Sequence, residues 1–391
     1  MSFLETRHVR ATSHTSAMGK GNGGLRQLWH NFPLKTGHKI LNWLLVFIPA
    51  ALVLDWFVHP APMIQFAAAA LAIVPLAGAL GEATDDLTAH LGQRAGGLLN
   101  ATMGNATELI IGFLTLRAGH IEVVKASISG SIIGNTLLVL GASIIAGGYR
   151  REKQTFSRGD AAVNSTMLFI ATVALVVPAV YDLAVFGELR QNGNRIEHLS
   201  LWTSLILVCV YAASLLFTFG RGFTQGAARE GREEEARSAK SAVISLVVST
   251  VVVAYMSEIL VGQIEAVKQT LGLSNLFLGV VIIATIGNAA EHSTAVLMAI
   301  RNKMDVAVNI AAGSSAQIAL LVGPVLVFAS WFMRKRMSLV FTGLEIAGIG
   351  LSVLVLEMIA YDGETNWFEG VELIAVYLIL AVAFYYVPQA A

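Results

Sequence analysis

The chain has 391 residues, of which 55% are hydrophobic and 13% charged, and its mean hydropathy is +0.67. A water-soluble domain carries about 25% charged residues, so lipid is the solvent for most of this surface. Lys and Arg number 26 against 26 Asp and Glu, which leaves no basic footprint for nucleic acid. A single cysteine rules out an internal disulfide, and no CxxC or Cys/His zinc spacing occurs.

Residues 1–39 are polar and basic and lack the apolar core of a signal peptide, which predicts a cytoplasmic N-terminal tail. The Gly-rich stretch 19–24 follows no strand, so it is not a phosphate loop. Beyond it, eleven apolar segments are long enough for membrane helices. They lie near 40–57, 63–86, 95–116, 123–147, 160–180, 199–219, 241–262, 274–300, 306–330, 338–360 and 369–388. None shows the strict alternation of a membrane β-barrel. Cys209 sits within the sixth segment and reads as a small packing residue.

With the N-terminus inside, the cytoplasmic connections hold 18 Lys and Arg and the outer ones 7, so the C-terminus falls outside. Arg334, Lys335 and Arg336 run against this trend. The connection 220–240 has five basic residues and the four acidic residues Glu230, Glu233, Glu234 and Glu235, at spacings that favour a short solvated helix. It reads as a cytoplasmic linker between two halves, and a cation-sensing role is the sharper alternative.

The two halves are related. Residues 97–141 align without a gap to 280–324, at a constant offset of 183. The pairs include Gly104/Gly287, Asn105/Asn288, Glu108/Glu291, Gly130/Gly313 and Ser131/Ser314. Equivalent helices are five apart, an odd number, so they cross the membrane in opposite directions. An inverted-topology repeat of this kind typifies secondary transporters, whose site lies near the midplane where the halves meet. The domain reading is therefore a tail (1–39), a peripheral helix (40–57), a five-helix repeat (58–219), the linker (220–240) and a second five-helix repeat (241–391).

Glu108 and Glu291 each lie within an apolar span, where a carboxylate costs about 2.5–3.5 kcal/mol to insert and marks a functional site by default. Asn105 and Asn288 precede them by three residues and share their helix faces. Gly104 and Gly287 allow a local helix break. The result is an all-oxygen site with two carboxylates, suited to a hard divalent cation such as Ca2+. Ser131, Ser314 and Gln317 follow on the second helix of each repeat as further lining candidates, with close helix packing the competing reading for the serines. His292, next to Glu291, is a candidate modulator of proton occupancy. Glu82, Asp85, Asp86, Glu258 and Glu265 flank the core and could funnel cations toward it, or be plain solvated helix ends.

Several stretches carry a family resemblance: 96–110, running Gly-Gly-Leu-Leu-Asn-Ala-Thr-Met-Gly-Asn-Ala-Thr-Glu-Leu-Ile; Gly287-Asn-Ala-Ala-Glu-His; Gly130-Ser-Ile-Ile-Gly-Asn; Ser257-Glu-Ile-Leu-Val; and Gly313-Ser-Ser-Ala-Gln-Ile-Ala-Leu. In these the chain resembles the cation/proton exchanger (CAX) family of the Ca2+/cation antiporter superfamily, over roughly residues 40 to 388. The resemblance implies an all-α polytopic membrane protein of eleven transmembrane helices, one peripheral helix plus two inverted five-helix repeats. It further implies that Glu108 and Glu291 are the exchange carboxylates, and that His292 is the histidine of proton-coupled members. Two departures stand out: the linker is less acidic than is usual in the family, and Asp85-Asp86 replaces paired glutamates.

The expected function is export of Ca2+ in exchange for H+ by alternating access, with no cofactor and no enzymatic activity, since Glu291-His292 lacks HExxH spacing. The alternatives are a Na+/Ca2+ or Na+,K+/H+ exchanger and, in a different class, a passive cation channel. A multi-pass protein of a bacterial inner membrane fits the short tails. The lipid bilayer is the expected environment and a homo-oligomer is left open.

Overall fold

The computed structural model describes residues 39–187, 193–220 and 237–388. The predicted tail and most of the charged linker lie outside them. The described chain is almost wholly helical, because lipid offers no partner for backbone N–H and C=O groups and a helix satisfies them internally. Its helices are α1 (Asn42–Val58), α2 (Pro62–Met103), α3 (Ala106–Ala118), α4 (Ile121–Gly148), α5 (Arg158–Phe186), α6 (Asn194–Gly220), α7 (Ala239–Gly262), α8 (Ile264–Leu271), α9 (Asn275–Gly287), α10 (Ala289–Ile300), α11 (Met304–Phe332), α12 (Gly343–Ala360) and α13 (Trp367–Tyr385). Two short strands, β1 (Gln154–Thr155) and β2 (Glu364–Thr365), pair antiparallel between helices.

All eleven predicted segments are helical, and eight helices among the described residues are long and apolar enough to cross a bilayer by themselves. The α8–α9 pair, bent by 119°, is a ninth candidate. The other segments are broken, which is where length and composition stop counting. The second and third predicted helices run together as the 42-residue α2. Yet the Thr88 hydroxyl lies 3.1 Å from the Gly96 carbonyl oxygen, whereas eight residues of straight helix span about 12 Å. The chain therefore bends back sharply between them, and two helix directions are kept. A Cβ at position 96 would stand 2.7 Å from the Thr88 carbonyl, so this bend needs glycine.

The repeat is visible in the backbone. Helices α3 and α10 begin at 106 and 289, and α4 and α11 at 121 and 304, each pair keeping the offset of 183. Both α4 and α11 change to π-helical winding just past the site serines, at Gly134–Val139 and Ile318–Val322. Such one-turn insertions frequently accompany functional sites.

Connections group at two ends, as successive crossings require. At one end Lys153 pairs with Glu364 at 2.6 Å and Arg151 reaches the Ala299 carbonyl at 3.5 Å. At the other, Arg117 pairs with Glu258 and Arg336 with Glu197, each at 2.8 Å, and Lys335 donates to the Arg117 carbonyl. The buried core lies between α4, α11, α12 and α13, where Leu137, Leu140, Leu320, Val353 and Phe384 meet. Cys209 is exposed on the outer face of α6, so it is not the packing residue that its apolar setting predicts.

Candidate functional site

The two glutamates occupy equivalent places on broken helices. Asn105 (φ −106°, ψ 22°) interrupts the chain between α2 and α3, and Asn288 (φ −92°, ψ 7°) does so between α9 and α10. Each break falls one residue after the glycine that the sequence marks. It opens a half-helix whose first turn carries Glu108 or Glu291, where the positive end of the helix dipole faces a carboxylate. Asparagine at a helix start ordinarily caps its own helix. Neither of these does so; both amides turn instead to a neighbouring helix.

Those cross-helix bonds bring the predicted residues together. The Asn105 amide donates to Gln317 Oε1 at 2.5 Å. The Asn288 amide donates to Ser131 Oγ at 2.8 Å and to the Ala284 carbonyl at 2.9 Å. Ser314 faces Glu291. Glu108 lies over Gly287, whose Cβ would come within 3.6 Å of Glu108 Cγ, and its carboxyl is within electrostatic reach of Glu291. Glu108, Glu291, Asn105, Asn288, Ser131, Ser314 and Gln317 therefore form one cluster. His292 joins it through Nε2, 3.1 Å from Asn135 Oδ1.

Three acceptors in this cluster are buried with no hydrogen-bond donor: Glu108 Oε2, Glu291 Oε2 and Asn105 Oδ1. An unpaired buried acceptor costs about 1–3 kcal/mol, more when charged. Three such acceptors, two of them carboxyl oxygens, stand in this one cluster. No group of three or more His, Cys, Asp or Glu gathers as a metal site among the described residues, so neutral oxygens from amides and hydroxyls would have to complete any coordination shell.

The flanking acids do not join the cluster. Glu82 and Asp86 face Arg237 at 3.4 and 3.8 Å, just before α7 begins. Glu258 pairs with Arg117, and Glu265 with Lys268 at 2.8 Å, at the opposite end. Asp85 is exposed. Each paired acid thus has a basic partner that reduces its pull on a passing cation.

Sequence reasoning passed over three residues. Asn135 was visible only as the end of a quoted motif. Lys125 and Glu345 are each 2% exposed, and Glu345 accepts from Ser129 Oγ at 2.8 Å. The available signal was their charge within apolar spans, which is costly anywhere in a membrane.

Packing around the cluster is unequal at the two ends. A Cβ on Gly130 would lie 2.3 Å from the Val280 carbonyl oxygen, so α4 and α9 touch backbone to backbone. At the equivalent Gly313 the nearest atom is Asn164 Nδ2, at 3.9 Å. In the same sense Leu98 on α2 is exposed, while its counterpart Val281 on α9 is partly buried against the core. The half-helix α9 is sealed against its neighbour; the corresponding part of α2 is not.

The family profile described as "Sodium/calcium exchanger protein" matches residues 61–220 and 241–386. The chain belongs to that family. The two matched stretches leave out α1 and the charged stretch between 220 and 241. Among curated exchangers, the chain is 43% identical over 339 residues to the Ca(2+)/H(+) antiporter ChaA of Bacillus subtilis, covering 85% of this chain and 95% of that one. It is 40% identical over 361 residues to a Ca(2+)/H(+) antiporter of Aphanothece halophytica, covering 88% and 96%. Among solved structures, native YfkE superposes with a TM-score of 0.77 at 39% identity, covering 89% of this chain and all of that one. The exchanger family is one of transporters, and the apolar helices make this chain a multi-pass membrane protein.

Proposed function

We propose that the protein is a Ca2+/H+ antiporter that exports Ca2+ by alternating access, with Glu108 and Glu291 taking either one Ca2+ or protons. The observation that carries this reading is the set of three donor-less buried oxygens on Glu108, Glu291 and Asn105. Two carboxylates neutralise a divalent ion, and protons neutralise them equally well. The empty, doubly charged site is the state that low-dielectric surroundings resist carrying through a conformational change. Loaded sites cross and the empty one does not, which links the two fluxes. Ser314 and Gln317 hold Glu291 and Asn105 in place, and Ser131 does the same for Asn288.

The reading extends to eleven crossings, with the peripheral helix at 40–57, repeats at 58–219 and 241–391, and a cytoplasmic N-terminus in a bacterial inner membrane. It draws on the Lys and Arg bias and on relatives named as Ca(2+)/H(+) antiporters. Glu82, Asp85 and Asp86 would then line the cytoplasmic approach, and Glu258 and Glu265 the outer one.

The family description also covers sodium-driven exchange, which keeps a Na+/Ca2+ mode as the second reading. Purified protein in proteoliposomes separates them. An imposed pH gradient should drive Ca2+ uptake and a sodium gradient at equal pH should not. Glu108→Gln and Glu291→Gln should each abolish uptake. Wild-type transport by either variant, or flux indifferent to any counter-ion, defeats the proposal.

A further inference from the structure

The two repeat-related asparagines are chemically identical but are held differently, and the difference can be traced atom by atom. Asn288 approaches the Ala284 carbonyl oxygen at 2.9 Å. A carbonyl only accepts, so the Asn288 atom there is the amide nitrogen, and its oxygen is the atom 3.2 Å from Asn135. Asn135 must then donate through Nδ2, which turns its own oxygen to His292 Nε2 at 3.1 Å. An amide oxygen only accepts, so Nε2 carries a hydrogen. One backbone carbonyl thus fixes both amide orientations and the ring tautomer, without recourse to freely chosen flips. The chain of donation runs from His292 to Asn135 to Asn288 to Ser131.

Asn105 has no such clamp. Its nitrogen is taken by Gln317 and its oxygen has no donor. At the offset of 183, the counterpart of Asn135 is Ile318 and that of His292 is Leu109, both apolar. Asn135 and His292, each polar where the other repeat is apolar, are therefore partners of each other, and both bear on Asn288. Resting on the exchange reading above, we infer that Asn135 is a positioning residue that makes the ion site asymmetric. It engages the Asn288 oxygen, so that Asn105 serves as the amide ligand, and it fixes His292 with a hydrogen on Nε2. A cation drawn to Asn288 must compete with the Asn135 amide; one drawn to Asn105 displaces nothing.

The test combines kinetics and spectroscopy on the full chain in lipid. Asn135→Ala should free the Asn288 oxygen, lowering the Ca2+ KM by about three- to tenfold and lowering kcat as release slows. In an Asn288→Ala background the same change should leave KM within about twofold, because the group it acts through is gone. A KM unchanged by Asn135→Ala, or shifted equally in both backgrounds, overturns the assignment. Should Asn135→Ala not fold, Asn135→Ile supplies the residue of the other repeat. Wild-type protein labelled with 15N-histidine, assigned by loss of a signal in His292→Gln, gives a variant-free measurement. At pH 8 the His292 ring should carry its hydrogen on Nε2, and a bare Nε2 overturns the inference. Glu108→Gln run alongside separates the two layers. If it transports, the exchange reading fails; if it is inactive while the Asn135 predictions fail, only the role of Asn135 is lost.

Discussion

Gly130 and Gly313 occupy the same position in the two repeats, and alanine should affect them in opposite ways. A Cβ on Gly130 would sit 2.3 Å from the Val280 oxygen, 2.4 Å from its Cα and 2.7 Å from its carbonyl carbon. All three are backbone atoms, so no side chain can swing aside. Restoring an ordinary contact requires α4 and α9 to part by about 1 Å, and overpacking of this kind costs about 1–3 kcal/mol. At Gly313 the nearest atom is 3.9 Å away, and alanine in a helix interior gains about 0.5–1 kcal/mol over glycine. That gain applies at both helical positions, so the two variants should differ by about 1–3 kcal/mol, the overpacking cost alone: Gly130→Ala melts lower in detergent, and Gly313→Ala melts at or above wild type. Transport adds a second reading. If the halves exchange packing during the cycle, α11 must close on the equivalent of Val280, which is Gly97. Gly313→Ala should then keep its stability yet turn over more slowly in proteoliposomes. Equal melting of the two variants would refute the packing argument. Full turnover by Gly313→Ala would refute the exchange of packing.

Two further predictions concern groups away from the ion site. Lys125 pairs with Glu122 at 3.6 Å, and the buried Glu345 accepts from Ser129 and from Thr342 N–H; Glu345→Leu should cost about 1–3 kcal/mol by leaving those donors unpaired, read by chemical denaturation, while Glu345→Gln, which can still accept, should lose less. His120, between α3 and α4, is pushed below the usual histidine range by burial, with Glu265 opposing and Lys268 and Lys335 reinforcing the shift. Its folded form thus favours the neutral ring, so its contribution is complete above about pH 6.5 and is lost as pH falls through the lowered value. Melting temperature should drop between pH 8 and pH 5.5, less steeply in His120→Gln, and identical slopes would sink this reading.

Hydropathy located the eight helices that are long and apolar enough to cross a bilayer, because the cost of burying charge in lipid is large and local. It placed two helices at 63–86 and 95–116 but not the continuous winding between them: Leu91 and Gly96 lie on unbroken helix, and the reversal depends on the contact of Thr88 with Gly96. The candidate site was legible for a different reason. Glu108 and Glu291 are expensive where they are, and the cost recurs at one offset. Asn135 costs nothing visible in sequence, since an amide near serines has many ways to be satisfied. Its role depends on which atom of Asn288 faces the Ala284 carbonyl, and that is set by tertiary structure. The same holds for Glu82 and Asp86, whose neutralisation by Arg237 pairs residues more than 150 apart.

An inverted repeat explains how one site can serve two faces, but not why an exchanger should depart from symmetry at its centre. A fully symmetric site would bind its load equally from both ends, with both amide oxygens free and both second helices packed alike. Here Glu108 and Glu291 obey the repeat and the groups around them do not. The first repeat offers Asn105 with an unengaged oxygen; the second offers Asn288 already bound, with His292 behind it. The packing asymmetry runs through the same elements, since α4 carries both Asn135 and the glycine that meets Val280. Parting α4 from α9 would open the sealed end and strain the Asn135–Asn288 bond in one movement. On the exchange reading proposed above, access and ligand availability are then linked through a single helix, and the carboxylates themselves need not change position for the site to change its preference.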